Sequence, residues 1–170
     1  MVADTFAHDI GADFKIWGQG KICELAQGQI GNEKVLILKP LTFMNDSGFA
    51  VVMTATFFKI LPEDICAIHD DLDLPFNNIR LKVGGGDGGH NGLKSMTKSL
   101  NSSNYGRVRI GIGRPPHPDM ETADYVLGAF SRDEDKEVDG IIDRSIDGIK
   151  AFCSGPESFL KEMNVLNRKD

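Results

Sequence analysis

The chain has 170 residues, 41% of them apolar and 26% charged, and a formal net charge of −6. That length fits one domain with a core of its own, and no apolar run is long enough to cross a bilayer or to form, with a basic stretch, a secretion leader. Three scattered cysteines (Cys23, Cys66, Cys153), with no C-x-x-C pair, argue against a disulfide framework or a zinc site and for a reducing cytoplasm.

In chain order, Val2, Phe6 and Ile10 recur at helical spacing and predict a helix from Met1 to Ile10, stopped by Gly11. Gly20–Ile30 and Glu33–Leu38 read as strands joined by a hairpin turn at Gly31-Asn32. Val35-Leu36-Ile37-Leu38 is apolar throughout, which predicts burial on both faces. Asn45, Asp46 and Ser47 are all helix N-cap types and lead into a helix from about Phe49 to Lys59. Ile65–Ile68 is a predicted buried strand running into His69-Asp70-Asp71-Leu72-Asp73.

Ile79–Val83 alternates as a strand, and Leu93, Met96 and Leu100 share one helix face. Arg107–Gly113 alternates again, Pro115–Asp119 is a predicted loop, and Ala123–Phe130 is a short apolar segment. Glu134–Phe152 predicts an amphipathic helix with Val138, Ile141, Ile142, Ile146 and Ile149 inward, broken at Gly155-Pro156 before a last helix to about Met163. Strands and helices alternate, so the predicted class is α/β: one domain over residues 1–170, with a mixed, mostly parallel sheet covered by helices on both faces.

Between the alternating Ile79–Val83 strand and the helix that follows it lies Gly84-Gly85-Gly86-Asp87-Gly88-Gly89-His90-Asn91. So many glycines cost folding entropy and allow backbone to crowd a ligand. Gly84, Gly86 and Gly89 match G-x-G-x-x-G, but the acid a dinucleotide ribose requires about twenty residues on is replaced by Arg109. The Walker pattern fails because Leu93, not Gly, precedes Lys94-Ser95.

The His69–Asp73 run invites a metal reading, yet strand alternation sends His69, Asp71 and Asp73 one way and Asp70 the other. The alternative is that one of these carboxylates orients and charges an imidazole. Asn45 and Asn91 each stand at a predicted helix start: either an N-cap, or a carboxamide offered to a carbonyl, a water or a ribose. Asn45, Asp70 and Asn91 all follow predicted strands, so they are expected on one rim of the sheet, with Phe43 and Met44 as an apolar wall. From Gly88 to Pro118 there is no Asp or Glu, while Lys94, Lys98, Arg107, Arg109 and Arg114 fall there and Arg80 and Lys82 just before. An electropositive face on an acidic protein predicts an anionic partner such as phosphate.

Four segments carry a resemblance: KPLTFMNDSG at 39–48, HDDLDLP at 69–75, LKVGGGDGGHNGLKS at 81–95 and RVRIGIGRP at 107–115. Their order and spacing resemble the bacterial peptidyl-tRNA hydrolase family, and the similarity continues through ADYVLGAFS at 123–131 to the last helices. The resemblance implies a cytoplasmic, monomeric esterase without metal or cofactor, which cuts peptide from the tRNA ribose and recycles tRNA from stalled translation. It assigns Asp70 to the support of a catalytic His. Asn45 and Asn91 then bind the peptide and the tRNA 3′ end and position water, and Phe43 and Met44 are apolar contacts. Gly88, in the glycine turn, brings backbone to the ester, and Lys82 and Arg109 clamp a tRNA phosphate. Family members also carry a strand, a Gly-Asn-Pro-Gly turn and a Thr-Arg-His-Asn-x-Gly segment with the general-base His, ahead of the helix that opens this chain. The expectation is therefore an N-terminally shortened domain, less stable than a longer form and a poor hydrolase. The other reading is a non-catalytic tRNA-binding protein of that family.

Overall fold

The computed structural model describes residues 1–117 and 119–167. Position 118, inside the predicted loop at 115–119, lies outside the described residues. The elements run α1 (Val2–Asp9), β1 (Lys15–Trp17), β2 (Cys23–Ile30), β3 (Glu33–Pro40), α2 (Ser47–Phe58), β4 (Cys66–Asp71), β5 (Ile79–Val83), α3 (Asn91–Leu100), β6 (Gly106–Gly111), α4 (Thr122–Val126), α5 (Arg132–Cys153) and α6 (Pro156–Leu166).

The strands form two three-stranded sheets, ordered β1-β2-β3 and β4-β6-β5. The class is α/β with mixed pairing, but parallel pairing is rarer than expected: among the described residues only β4 with β6 is parallel. The predicted hairpin is present, with Glu33 opposite Ile30 across Gly31-Asn32. Strand β1 was not foreseen, since three residues are too few to display alternation. The expectation that Val35–Leu38 is buried on both faces does not hold: only Ile37 is fully buried. Strand β3 pairs with β2 alone, so its other edge carries no strand.

The main core lies between α5 and the β4-β6-β5 sheet. Val138, Ile141, Ile142, Ile146 and Ile149 point inward as their spacing predicts, and meet Ile79, Leu81 and Val108. Each such side chain contributes about 1.5–3 kcal/mol relative to leaving it exposed. Helix α5 starts two residues earlier than predicted because Ser131 and Glu134 form a capping box. Helix α3 covers part of the opposite face through Leu93 and Met96 against Ala67 and Tyr105. Tyr105 is fully buried; its hydroxyl meets Thr97 Oγ1 at 2.9 Å and donates to the Leu93 carbonyl at 3.3 Å, fixing α3 to the start of β6.

Helix α2 packs along α3, and the Gly48 N–H donates to Ser95 Oγ at 3.0 Å. Helix α6 runs beyond the predicted Met163 to Leu166 and lies on β5. Just past it, Asn167 pairs with the outer edge of β5: the Leu81 N–H donates to Oδ1, and Nδ2 donates to the Leu81 carbonyl, both at 3.0 Å.

Candidate functional site

Because β5 runs antiparallel to β6, its last residues lie beside the first residues of β6, with Val83 opposite Gly106. The acids ending β4 lie at the other end of the sheet, where Asp71 pairs with Gly111. The glycine loop therefore crosses the sheet. It leaves Tyr105, whose carbonyl accepts from the Gly84 N–H at 3.0 Å, and reaches Asp70, where His90 stands. Sequence reasoning put Asn45, Asp70 and Asn91 on one rim because each follows a strand. For Asn91 that reason is incomplete, since the loop has to carry it back from the opposite end. Gly84, Gly85, Gly88 and Gly89 all have φ between +59° and +95°, the left-handed backbone this path requires.

The helix caps differ from expectation in a useful way. Asn91 is the first residue of α3, not its cap; the cap is His90, whose Nδ1 accepts from the Leu93 N–H at 3.2 Å. Asn45 sits in a short 3-10 turn, Met44–Asp46, and Asp46 precedes α2 without a side-chain capping bond. Both asparagines are exposed, and neither carboxamide bonds to another of the described residues. The two stand on adjoining elements. Gly92 lets the Met44 thioether approach so closely that a Cβ there would lie 2.7 Å from Sδ. Phe43, 83% exposed, and Met44, 56% exposed, present apolar side chains to solvent beside Asn45. Gly88, exposed in the loop, has an N–H with no protein acceptor.

Asp70 does hold an imidazole, and it is His90: Nε2 lies 3.2 Å from Oδ1. Since His90 Nδ1 accepts from Leu93, Nε2 carries the proton and donates to the carboxylate. This bond, more than any other influence, holds the Asp70 carboxyl below the usual carboxylate range. Asp70 also borders an apolar cleft of about 200 Å³ lined by Met1, Val2, Phe76, Ile110 and Phe130. His69 lies against His90, ring centres 5.1 Å apart. Its Nδ1 donates to the Asp70 carbonyl at 2.7 Å, which leaves Nε2 a bare lone pair, buried and without a partner. Burial pushes the His69 pKa down to about 4.

The remaining acids of the 69–73 run are also partnered. Arg109 Nε donates to Asp71 Oδ2 at 2.8 Å, and Arg114 donates to Asp73 at 2.5 Å. Burial works to raise the Asp71 carboxyl, but the Arg109 bond and the Asp73 N–H outweigh it and the net shift is downward. Among the described residues no group of three or more His, Cys, Asp or Glu is disposed to hold a metal ion.

The face of the sheet opposite α5 is cationic. Lys82 pairs with Arg107 and Arg80 with Arg109 across β5 and β6, so all four share that face. Lys82 and Arg109 are diagonal neighbours there, about 7–8 Å apart at the backbone. Lys82 lies along the loop, its Nζ 2.6 Å from where a Gly85 Cβ would stand. Arg107, only 2% exposed, has no carboxylate partner; it donates to the Gly86 carbonyl at 2.5 Å and the Gly85 carbonyl at 2.8 Å, over the Tyr105 ring. It is the floor of the glycine loop. Sequence reading counted Arg107 only among the cations of the acid-free run and missed its burial under the loop, as it missed the roles of His90 and Asp71. The period-2 placement of cations at 80, 82, 107 and 109 was the available signal for the first.

A model of the peptidyl-tRNA hydrolase family matches residues 1–170. That match gives the expected N-terminal shortening no support. A peptidyl-tRNA hydrolase of Streptomyces coelicolor (strain ATCC BAA-471 / A3(2) / M145) is 48% identical over 157 residues, which is 89% of this chain and 77% of that protein. One of Anaeromyxobacter dehalogenans (strain 2CP-C) is 43% identical over 169 residues, covering 99% and 85%. The crystal structure of peptidyl-tRNA hydrolase from Acinetobacter baumannii superposes with a TM-score of 0.87 at 34% identity, over 98% of this chain and 83% of that one.

Proposed function

This chain belongs to the peptidyl-tRNA hydrolase family, and on that premise we propose that residues 1–170 form one hydrolase domain acting, as a cytoplasmic monomer, on the ester between a peptide and the tRNA ribose. The observation that carries the reading is a juxtaposition. Two unspent carboxamides, Asn45 and Asn91, flank the apolar Phe43–Met44 wall at the end of the sheet where Asp70 stands, and the cationic face runs away from them along the glycine loop. An ester with a peptide on one side and a polyanion on the other calls for those surfaces in that order.

In this reading Asn45 and Asn91 each give a donor and an acceptor to the terminal peptide unit and to the attacking water. Water adds to the ester carbonyl, the oxyanion forms near the unpaired Gly88 N–H, and the ribose oxygen leaves with a proton. Asp70 stabilises positive charge on an imidazole beside it. Lys82 and Arg109 hold a tRNA phosphate, which fixes the ester at a set distance.

The water still requires a base. Both ring nitrogens of His90 are engaged, and the bare nitrogen of His69 is buried with its basicity lowered. His8 is exposed on α1 and His117 lies in the loop after β6. In this reading hydrolysis is slow with these four imidazoles alone, because a positioned base supplies about 10²–10⁴ in rate.

The test is a pair of assays on purified protein. N-acetylaminoacyl-tRNA hydrolysis is followed by release of the acyl group, and deacylated tRNA binding by fluorescence anisotropy across a salt series. Binding that weakens with salt, with the slope of log K against log salt reduced by about 1 in each of Lys82→Ala and Arg109→Ala, supports the reading. Salt-independent binding, or slopes untouched by both changes, overturns it.

A further inference from the structure

The Asp71–Arg109 pair lies on the face read above as the RNA surface, and a carboxylate there is a puzzle. By charge alone it repels phosphate. The geometry resolves this. Asp71 takes only the Nε–H of Arg109, at 2.8 Å, and among the described residues neither terminal nitrogen of that guanidinium has an acceptor. A guanidinium held through Nε keeps its two terminal amino groups side by side, the fork that matches two phosphate oxygens. The carboxylate is itself fixed: its other oxygen accepts from the Asp73 N–H at 2.9 Å, and its side chain is only 14% exposed.

We propose that Asp71 is a positioning residue for phosphate recognition: it holds the Arg109 guanidinium through Nε so that its paired terminal amino groups face an RNA phosphate. This rests on the reading of that face as the tRNA surface. It also makes a prediction opposite in sign to that of bulk charge. Removing Asp71 raises the positive charge of the face, and a purely electrostatic surface would then bind RNA more tightly. With its fork released, Arg109 instead loses its two-point contact and binding weakens.

The experiment is a double-mutant cycle on deacylated tRNA binding with Asp71→Ala, Arg109→Ala and the double variant, plus Asp71→Glu, at two salt concentrations. Thermal melts confirm that each is folded. The expected result is that Asp71→Ala weakens binding three- to tenfold, that Asp71→Glu restores part of it, and that Asp71→Ala has no further effect once Arg109 is Ala. Should Asp71→Ala prove unfolded, the Glu variant and the additional Asp71→Asn, which keeps the shape without the charge, carry the same comparison. Binding by folded Asp71 variants that is unchanged or tighter, or an equal loss in the Arg109→Ala background, overturns the proposal. If Arg109→Ala itself leaves affinity and salt slope unchanged, the reading of the face has failed, independently of Asp71.

Discussion

Lowering the pH from 7.5 to 4.5 should remove stability chiefly through His69. Its Nδ1–H is spent on the Asp70 carbonyl and its Nε2 is buried without a partner, so a proton added there has no acceptor. Burial depresses its pKa from 6.5 to about 4; the neighbouring His90 pushes the same way, while Asp70 and Asp71 oppose. Below pH 6.5 the unfolded chain takes up this proton and the folded one resists it until about pH 4. The unfolded state therefore binds more protons in that window, and stability falls as pH falls. The two pH units between 6.5 and 4.5, at about 1.4 kcal/mol each, amount to about 2–3 kcal/mol lost by pH 4.5. That is a large part of a typical domain's 5–15 kcal/mol. Asp70 and Asp71 add their own loss only below the ordinary carboxylate value, outside the window, because both are shifted down. Urea unfolding followed by circular dichroism at pH 7.5, 6.5, 5.5 and 4.5 measures the slope. His69→Asn keeps an N–H for the Asp70 carbonyl and does not titrate, so its stability should be nearly flat over that range. Equal losses in the His69→Asn variant and the parent would refute the assignment.

Asn45→Ala and Asn91→Ala should each leave stability within about 0.5 kcal/mol by urea melt, since neither side chain bonds to the protein, while ester turnover falls at least tenfold. An N-cap would have cost about 1 kcal/mol. His90→Ala, by contrast, should cost 1 kcal/mol or more, because the α3 cap and the Asp70 bond are lost together; a melt unchanged from the parent would count against the capping role. Arg107→Lys should lose about 1.5–3 kcal/mol, since an ammonium cannot span the Gly85 and Gly86 carbonyls, and the glycine-loop amides should exchange faster with solvent.

The helices α1, α2, α3 and α5, the hairpin and the strands β4 to β6 were legible because each has a clear apolar period or a turn residue at its end. Strand direction was not. Nothing local in Ile79–Val83 says that it runs against β6, and that single fact moves the glycine loop across the sheet and sets four cations on one face. The site followed the same division. Residue types on the rim were readable, including Asn45, Asp70 and Asn91, because their chemistry is carried by the side chain. Their partners were not, since the His90–Asp70 and Asp71–Arg109 contacts join residues 20 and 38 positions apart. Asn91 in particular reads as a cap from sequence, and only the strand-to-helix geometry gives that task to His90.

Asn167 offers β5 one hydrogen-bond donor and one acceptor, both on Leu81, which is what a neighbouring peptide group would offer. It acts as a one-residue counterfeit of the next strand. A sheet margin that finds its pairing within its own chain has less to give to another copy. The turn after α6 thus works against edge-to-edge association. A cut or tag that disturbed Asn167 would leave the ladder beneath the cations of β5 and β6 open on its outer side.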